Sequence, residues 1–412
     1  MSTKKESHHY IEVNGDFKMR ELDKSDLEQF NALLQYAFQV TSYELFQTGW
    51  QQDEIKYAKR PILEKAYVLG WFYKDKLASM IVVYSMKVNI HDEIMDMGGI
   101  TGVATYPEYT GKGLIHSLMR HALNYMHEKE MEISFLYPYS IPFYRKMGWE
   151  IVSDKLTFTV KDTQLPKARP VDGMVERVSL DSEDYHNVHS YFALQRHGCL
   201  IRDNLSWEEY WRWDEDDTVV AIYYDAAGKP SGYMVYLIKD DIMYVKEMIY
   251  LTREAQQGLW EYIHAHDSMI DEVRGSSYYS DPIAFELDDG DIRETIRPYI
   301  MGRIVDAEQF FPKYRCDPTA ENVTIAFEIE DHFLPWNNKT VTVLFHRGEC
   351  SLSAAAAKHH VKLSIATLTA LMLGYKTATK LQRLGRIEGE ERAVRLLDDV
   401  LLHEAPYISD YI

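Results

Sequence analysis

Two periodicities alternate along the first 150 residues. Leu27, Phe30, Leu33, Leu34, Ala37 and Phe38 recur at spacings of three and four, which predicts an amphipathic helix, and Ser25 with Glu28 three residues later reads as its capping box. Apolar, β-branched runs at 66–72, 77–89 and 95–105 predict strands, the first two joined by a turn around residues 74–76. Leu114, Ile115, Leu118, Met119, Ala122, Leu123 and Met126 return to the helical period, as expected of a helix laid on a sheet. Residues 133–137 read as a short buried strand. Ser140 then reads as the cap of a short helix that carries Pro142 in its first turn and ends at Gly148.

The pattern breaks at 161–173, KDTQLPKARPVDG, where two prolines and no apolar period predict a linker. Beyond it the mixed pattern returns, with a helix capped by Ser206 and Glu209 that carries Trp207 and Trp211. Strands are expected at 219–224, 232–238 and 243–250, and a helix over 254–266. After Arg303 the character changes. Val323, Ile325, Phe327 and Ile329, then Val341, Val343 and Phe345, alternate as half-buried strands, followed by helices near 365–373, 377–384 and 390–402. The last ten residues, HEAPYISDYI, are aromatic and apolar where chain ends are usually polar and frayed, which predicts a docked tail.

Length and composition narrow the class. The 412 residues suffice for two to four domains, and 46% hydrophobic residues with 13% aromatics exclude disorder. With 45 Lys and Arg against 64 Asp and Glu, the net charge of −19 disfavours nucleic acid and anionic membrane as partners. It favours small cations, or serves solubility alone. Cys199, Cys316 and Cys350 form no CxxC pair and suggest a reducing compartment. With no apolar signal segment in residues 1–9 and no membrane-length apolar run, a cytoplasmic location is expected. The histidine pairs 186/189, 264/266 and 359/360 lack the spacing of a zinc site, so no metal is expected. Trp207, Trp211 and Trp213 read as core or as an aromatic wall. The acidic run at 214–217 reads as a solvated turn or as an attractor of polycations.

The strongest local signal lies at 98–119, GGITGVATYPEYTGKGLIHSLM. A strand ends at Thr105 and the chain turns through Gly111, Lys112 and Gly113 directly into a helix. That arrangement converges main-chain N–H groups beside a helix N-terminus, next to a lysine. It is neither GxxxxGK[ST] nor GxGxxG, and on spacing alone a phosphate cradle and an ordinary glycine turn remain equally open.

Strand, TGKG turn, amphipathic helix, short strand and IPFYRKMGW together resemble the acetyl-CoA-binding core of the GNAT N-acetyltransferase superfamily. The resemblance implies that Val103, Ala104 and Thr105 pair with the pantetheine arm. It implies that Gly111, Lys112, Gly113, Leu114, Ile115 and His116 hold the pyrophosphate, with Tyr139 and Ser140 as further cofactor contacts. Glu108 stands where the family usually has Gln or Arg, and a carboxylate there cannot help to hold phosphate. The whole layout resembles the enhanced intracellular survival (Eis-like) family. It implies an α/β (α+β) chain with a GNAT catalytic domain at 1–160, a degenerate GNAT-like domain at 174–301 and a sterol-carrier-like domain at 303–412. In the central domain, REAQQGL at 253–259 opens a helix without the glycine turn, and cofactor binding is not expected there.

The family resemblance further implies direct acetyl transfer from acetyl-CoA to an amine, with Tyr144 as general acid and the carboxylate of Ile412 as general base. The acceptor would be a small cation such as an aminoglycoside, a polyamine or a lysine side chain, and the assembly a homohexamer. A tyrosine near pKa ~10 suits a leaving thiolate near ~8.5, and an apolar tail would raise the carboxylate above its usual ~3.3–3.7. The competing reading is a non-catalytic lipid-binding protein that uses the C-terminal domain.

Overall fold

The computed structural model describes residues 10–40, 59–167, 170–210, 218–278 and 283–412, and three sheets organise them. In the first sheet the strands run in the order Glu12–Asn14, Phe17–Glu21, Tyr67–Tyr73, Lys76–Ile90, Glu93–Thr105, Ile133–Leu136, Met301–Ile304 and Glu150–Ile151. Leu200–Ile201 is added against Lys76–Ile90. Neighbours are antiparallel except Glu93–Thr105 with Ile133–Leu136. Parallel strands need a crossover, and the helix Leu114–Glu128 supplies it, burying Leu118, Met119, Ala122, Leu123 and Met126 on the sheet.

The second sheet contains Arg293–Pro298, Asp154–Lys161, Glu272–Ser277, Ile242–Tyr250, Pro230–Lys239, Val219–Tyr224 and Met174–Val178. Alternation along its strands feeds two cores. Ala221, Tyr223 and Met234 pack with the helix Arg253–His264, while Val220, Ile222 and Tyr233 pack with the helix Glu183–Gln195. The third sheet runs Glu349–Leu352, Thr340–His346, Val323–Glu330, His359–Ser364 and Ile387–Gly389, and is packed with the helices Ile365–Met372, Ala378–Arg383 and Glu391–Val400. Fold class is therefore α/β with mixed sheets throughout.

Two strands cross between the first and second sheets. Asp154–Lys161, read as the end of the first unit at 160, lies in the second sheet, where Leu156, Phe158 and Val160 join the central core. Met301–Ile304, read as the end of the second unit, lies in the first sheet between Ile133–Leu136 and Glu150–Ile151, with all four residues buried.

Several caps differ from expectation. At the first helix, Leu27–Phe38, the capping residues are Asp23 and Asp26 in the 3-10 turn before it, with Asp23 accepting from the Ser25 N–H at 2.7 Å. Asp26 prevails over Glu28 because Arg20 grips its carboxylate with two bonds of 2.6 and 2.7 Å, which sequence spacing does not reveal. Asp203, not Ser206, caps the helix Asn204–Tyr210, accepting from the Ser206 N–H at 2.8 Å. Ser140 occupies the N-cap of the helix Ile141–Arg145 without a side-chain bond. The helix Glu183–Gln195 escapes the periodicity because Tyr185 and His189 lie on its buried face.

Candidate active site

The fork between two parallel strands builds the site. Glu93–Thr105 pairs with Ile133–Leu136 only from Met97 to Ile100, so among the described residues the main chain of 101–105 has no ladder partner on that side. On the other side it stays attached to Lys76–Ile90 through a bulge at residues 80–82. Gly102 enables that bulge: its φ is +57°, and a Cβ there would lie 2.9 Å from Val82 Cγ2. Ala104 is buried, while Val103 and Thr105 are half-buried; Thr105 shares a 2.7 Å hydrogen bond with Ser79. An extended ligand arm laid in the fork would find free N–H and C=O groups in strand geometry.

Directly after this strand, Gly111 and Gly113 have φ of +73° and +75°, and a Cβ on either would meet nothing within 4 Å. Gly113 is the N-cap of the crossover helix and, lacking a side chain, leaves the first N–H groups uncapped. Leu114 is buried and Ile115 half-buried, while Lys112 and His116 are exposed. An open hollow of unshared donors at the positive end of a 15-residue helix, flanked by a lysine, is chemistry that a pyrophosphate fits. In the central unit the corresponding helix start is already served. Thr252 caps the Ala255 N–H at 3.1 Å, and Glu254 binds the Tyr223 hydroxyl at 2.7 Å.

Tyr144 lies on the helix Ile141–Arg145 and is buried among residues of the first core. Burial, then the Tyr411 hydroxyl, pushes its phenol up to about 12. Two devices fix this helix. Arg145 binds Glu150 at 2.6 and 2.9 Å, and Glu150 also accepts from Arg386 of the third unit at 2.6 Å. Arg303, fully buried, donates to the Met147 carbonyl and to Asp331. Phe333 and Trp336 then brace the crossover helix, their rings against His116 and His127 at centroid distances of 4.8 and 4.5 Å.

The tail reaches the fork from the central unit. Tyr407, Ile408, Ser409 and Asp410 are buried, and so is Ile412, whose Cγ2 would lie 3.0 Å from a Cβ on Gly99, one residue before the pairing of the fork ends. Arg202 holds the tail, bonding Asp410 at 2.6 Å and Glu247 at 2.8 Å. Glu247 also accepts from Ser409 at 2.9 Å and from Tyr233 at 2.7 Å. The Tyr299 hydroxyl donates to the Ser409 and Asp410 carbonyls at 3.3 and 3.2 Å. Burial raises the Asp410 carboxyl above its ordinary value despite the guanidinium beside it. A small cavity of about 80 Å³ is lined by Lys65, Asp203, Asp410 and Ile412, together with Tyr84 and Met86.

Ile412 lies at the fork against Gly99, and Tyr411 is within electrostatic reach of Tyr144; Tyr139, at 97%, is exposed like Lys112 and His116. Arg202, Glu247, Arg303 and Tyr411 were missed. Trp207 is packing, stacked on His186 at 4.2 Å and covered by Arg202 at 4.6 Å. Trp211, Trp213 and the acidic run 214–217 lie outside the described residues. Among the described residues no three His, Cys, Asp or Glu side chains are grouped to hold a metal ion, and no helix is long and apolar enough to cross a membrane.

Comparison with known proteins supports the fold and its domains. Residues 18–152 and 198–304 each match an acetyltransferase (GNAT) domain, and residues 307–409 match a sterol carrier protein domain. Among solved structures, a conserved protein of Enterococcus faecalis V583 described as a probable N-acyltransferase is 26% identical, covering 96% of this chain and 99% of its own, with a TM-score of 0.87. A GCN5-related N-acetyltransferase from Anabaena variabilis ATCC 29413 is 23% identical, covering 96% and 100%, with a TM-score of 0.85. Eis1 from Mycobacterium abscessus is 18% identical over 96% and 100%, with a TM-score of 0.79, a likeness of fold. No curated protein matches the chain.

Proposed function

We propose that this GNAT N-acetyltransferase is an Eis-like enzyme that acetylates the amine of a small cationic acceptor by direct transfer, with Tyr144 as acid and the Ile412 carboxylate as base. The observation that carries the reading is the placement of Ile412 on Gly99 at the mouth of the fork, with Tyr411 within electrostatic reach of Tyr144. Acetyl-CoA supplies a thioester, whose C–S bond breaks as the amine nitrogen forms the new amide, leaving a thiolate to be protonated.

The chain's own residues divide that work. The free strand edge at 103–105 and the donors of residues 111–116 hold the cosubstrate, with Ser140 at the start of the Tyr144 helix as a further contact. The Tyr144 hydroxyl donates its hydrogen bond to the departing sulfur. The Ile412 carboxylate takes the proton that the attacking amine loses, directly or through water. Asp203 and Asp410 line the small cavity beside it together with Lys65, two carboxylates against one ammonium, a balance that favours a cationic acceptor. Assembly as a homohexamer belongs to the same reading, and sedimentation measures it.

The test is CoA release with aminoglycosides, polyamines and lysine peptides, comparing the native chain with Tyr144→Phe and with a chain extended past Ile412. Turnover that collapses in both variants while acetyl-CoA affinity persists is the expected result. No turnover with any amine would overturn the acceptor class, and full activity in the extended chain would remove the carboxylate from the mechanism.

A further inference from the structure

The helix Glu183–Gln195 covers only part of its face of the central sheet. The strands Asp154–Lys161, Glu272–Ser277 and Arg293–Pro298 leave the remainder open as a cavity of about 890 Å³. We propose that this cavity is a second ligand site, for a small phosphate-bearing anion distinct from the cosubstrate.

Its charge is the first ground. Lys155, Lys246, Arg274, Arg293 and Arg297 line it, and among the described residues no carboxylate does, in a chain whose net charge is −19. Register is the second. Arg297 lies directly opposite Lys155, and Thr159 is flanked by Arg293 on one strand and Arg274 on the other. Like charges placed opposite each other across strands destabilise a sheet unless an anion lies between them. Arg274 has an ion pair to Glu272, Lys246 donates to the Thr218 hydroxyl at 3.3 Å, and Lys155 is held against the rings of Tyr278 and Tyr299 at 5.6 and 5.5 Å. Desolvation also lowers the Lys155 ammonium from its ordinary value, so its charge gains from a counter-anion.

Planar guanidinium groups at fixed spacing suit phosphate oxygens, which they bind in pairs. The hydroxyls of Thr159 and Tyr244 supply neutral donors between them. The cavity is separate from the glycine turn, which lies on the crossover helix of the first sheet. It does touch the tail, since Ser409 and Tyr411 form part of its wall. A ligand bound there would therefore bear on the residue next to Ile412.

Calorimetric titration of tripolyphosphate into the full chain, already saturated with CoA, tests the assignment independently of acetyl transfer. One salt-sensitive site per chain is expected. In Arg293→Gln/Arg297→Gln, affinity should fall roughly tenfold for each guanidinium removed, with CoA affinity and melting temperature retained. Absence of binding to the CoA-saturated native chain, or equal affinity in the double variant, would overturn the proposal.

Discussion

Gly148 lies against the guanidinium of Arg303 so closely that a Cβ built on it would fall 1.5 Å from Nη1. Its φ of +90° adds a second barrier to any side chain. Because Arg303 belongs to the strand that enters the first sheet from far along the chain, this one contact ties the end of the Tyr144 helix to the third unit through Asp331. Gly148→Ala is expected to cost roughly 1–3 kcal/mol in urea denaturation, and to lower kcat more than it changes acetyl-CoA affinity. An unchanged rate in a destabilised variant would show that Tyr144 is placed by other contacts.

Tyr144, raised to about 12, stays protonated throughout the ordinary pH range. Full proton transfer to a thiolate near ~8.5 would then be uphill by about 5 kcal/mol, so in the proposed mechanism Tyr144 serves the leaving sulfur as a hydrogen-bond donor. The rate should rise as the amine acceptor deprotonates and should show no alkaline fall attributable to Tyr144 until pH nears its value. The sign for stability is the same: the contribution of the neutral phenol is complete below about 10, the unfolded value, and is lost as pH climbs toward the folded one. Tyr144→Phe should reduce kcat by ~10²–10⁴. Stopped-flow pH profiles of both proteins check this.

Arg202 neutralises two buried carboxylates, Glu247 and Asp410. Removing it in Arg202→Met leaves both uncompensated and should cost about 3–5 kcal/mol, with release of the tail and loss of turnover. Adding Asp410→Asn should recover part of the stability, because one stranded charge is gone. A double-mutant cycle by chemical denaturation reads the coupling, and strict additivity would contradict it.

His91 and His197 stack at 3.7 Å where the three units meet, with Tyr314 edge-on to His91. Burial depresses His197 to about 4 and His91 to about 2. Both are neutral in the folded chain, so below pH ~6.5 the unfolded chain takes up protons that the folded chain refuses. Stability therefore falls as pH drops through that window, by about 1.4 kcal/mol per pH unit for each ring. Melting curves from pH 7 to 4.5 should show a steeper acid loss in the native chain than in His91→Gln. Equal slopes would place the acid sensitivity elsewhere.

The glycine turn and the helix it opens were legible because their parts are local. Gly111, Gly113 and the helical period from Leu114 to Met126 occupy one contiguous stretch, and turn geometry with helix polarity follows from neighbours a few residues apart. The same locality explains why the strands read at 219–224, 232–238 and 243–250 are found at Val219–Tyr224, Pro230–Lys239 and Ile242–Tyr250. Caps differed where several candidates stood within a few residues and side-chain geometry chose between them, as the buried Arg20 did for Asp26.

The sequence by itself determined the mixed α/β character, the glycine turn that opens the crossover helix, and a tail too apolar to remain in solvent. Only the tertiary structure decided that Asp154–Lys161 and Met301–Ile304 change sheets, that Arg202 and Glu247 receive Asp410, and that Ile412 comes to rest on Gly99. Those pairings join residues more than 100 positions apart, and no periodicity encodes them. They follow from which buried surfaces and unpaired strand edges meet once the local elements have formed.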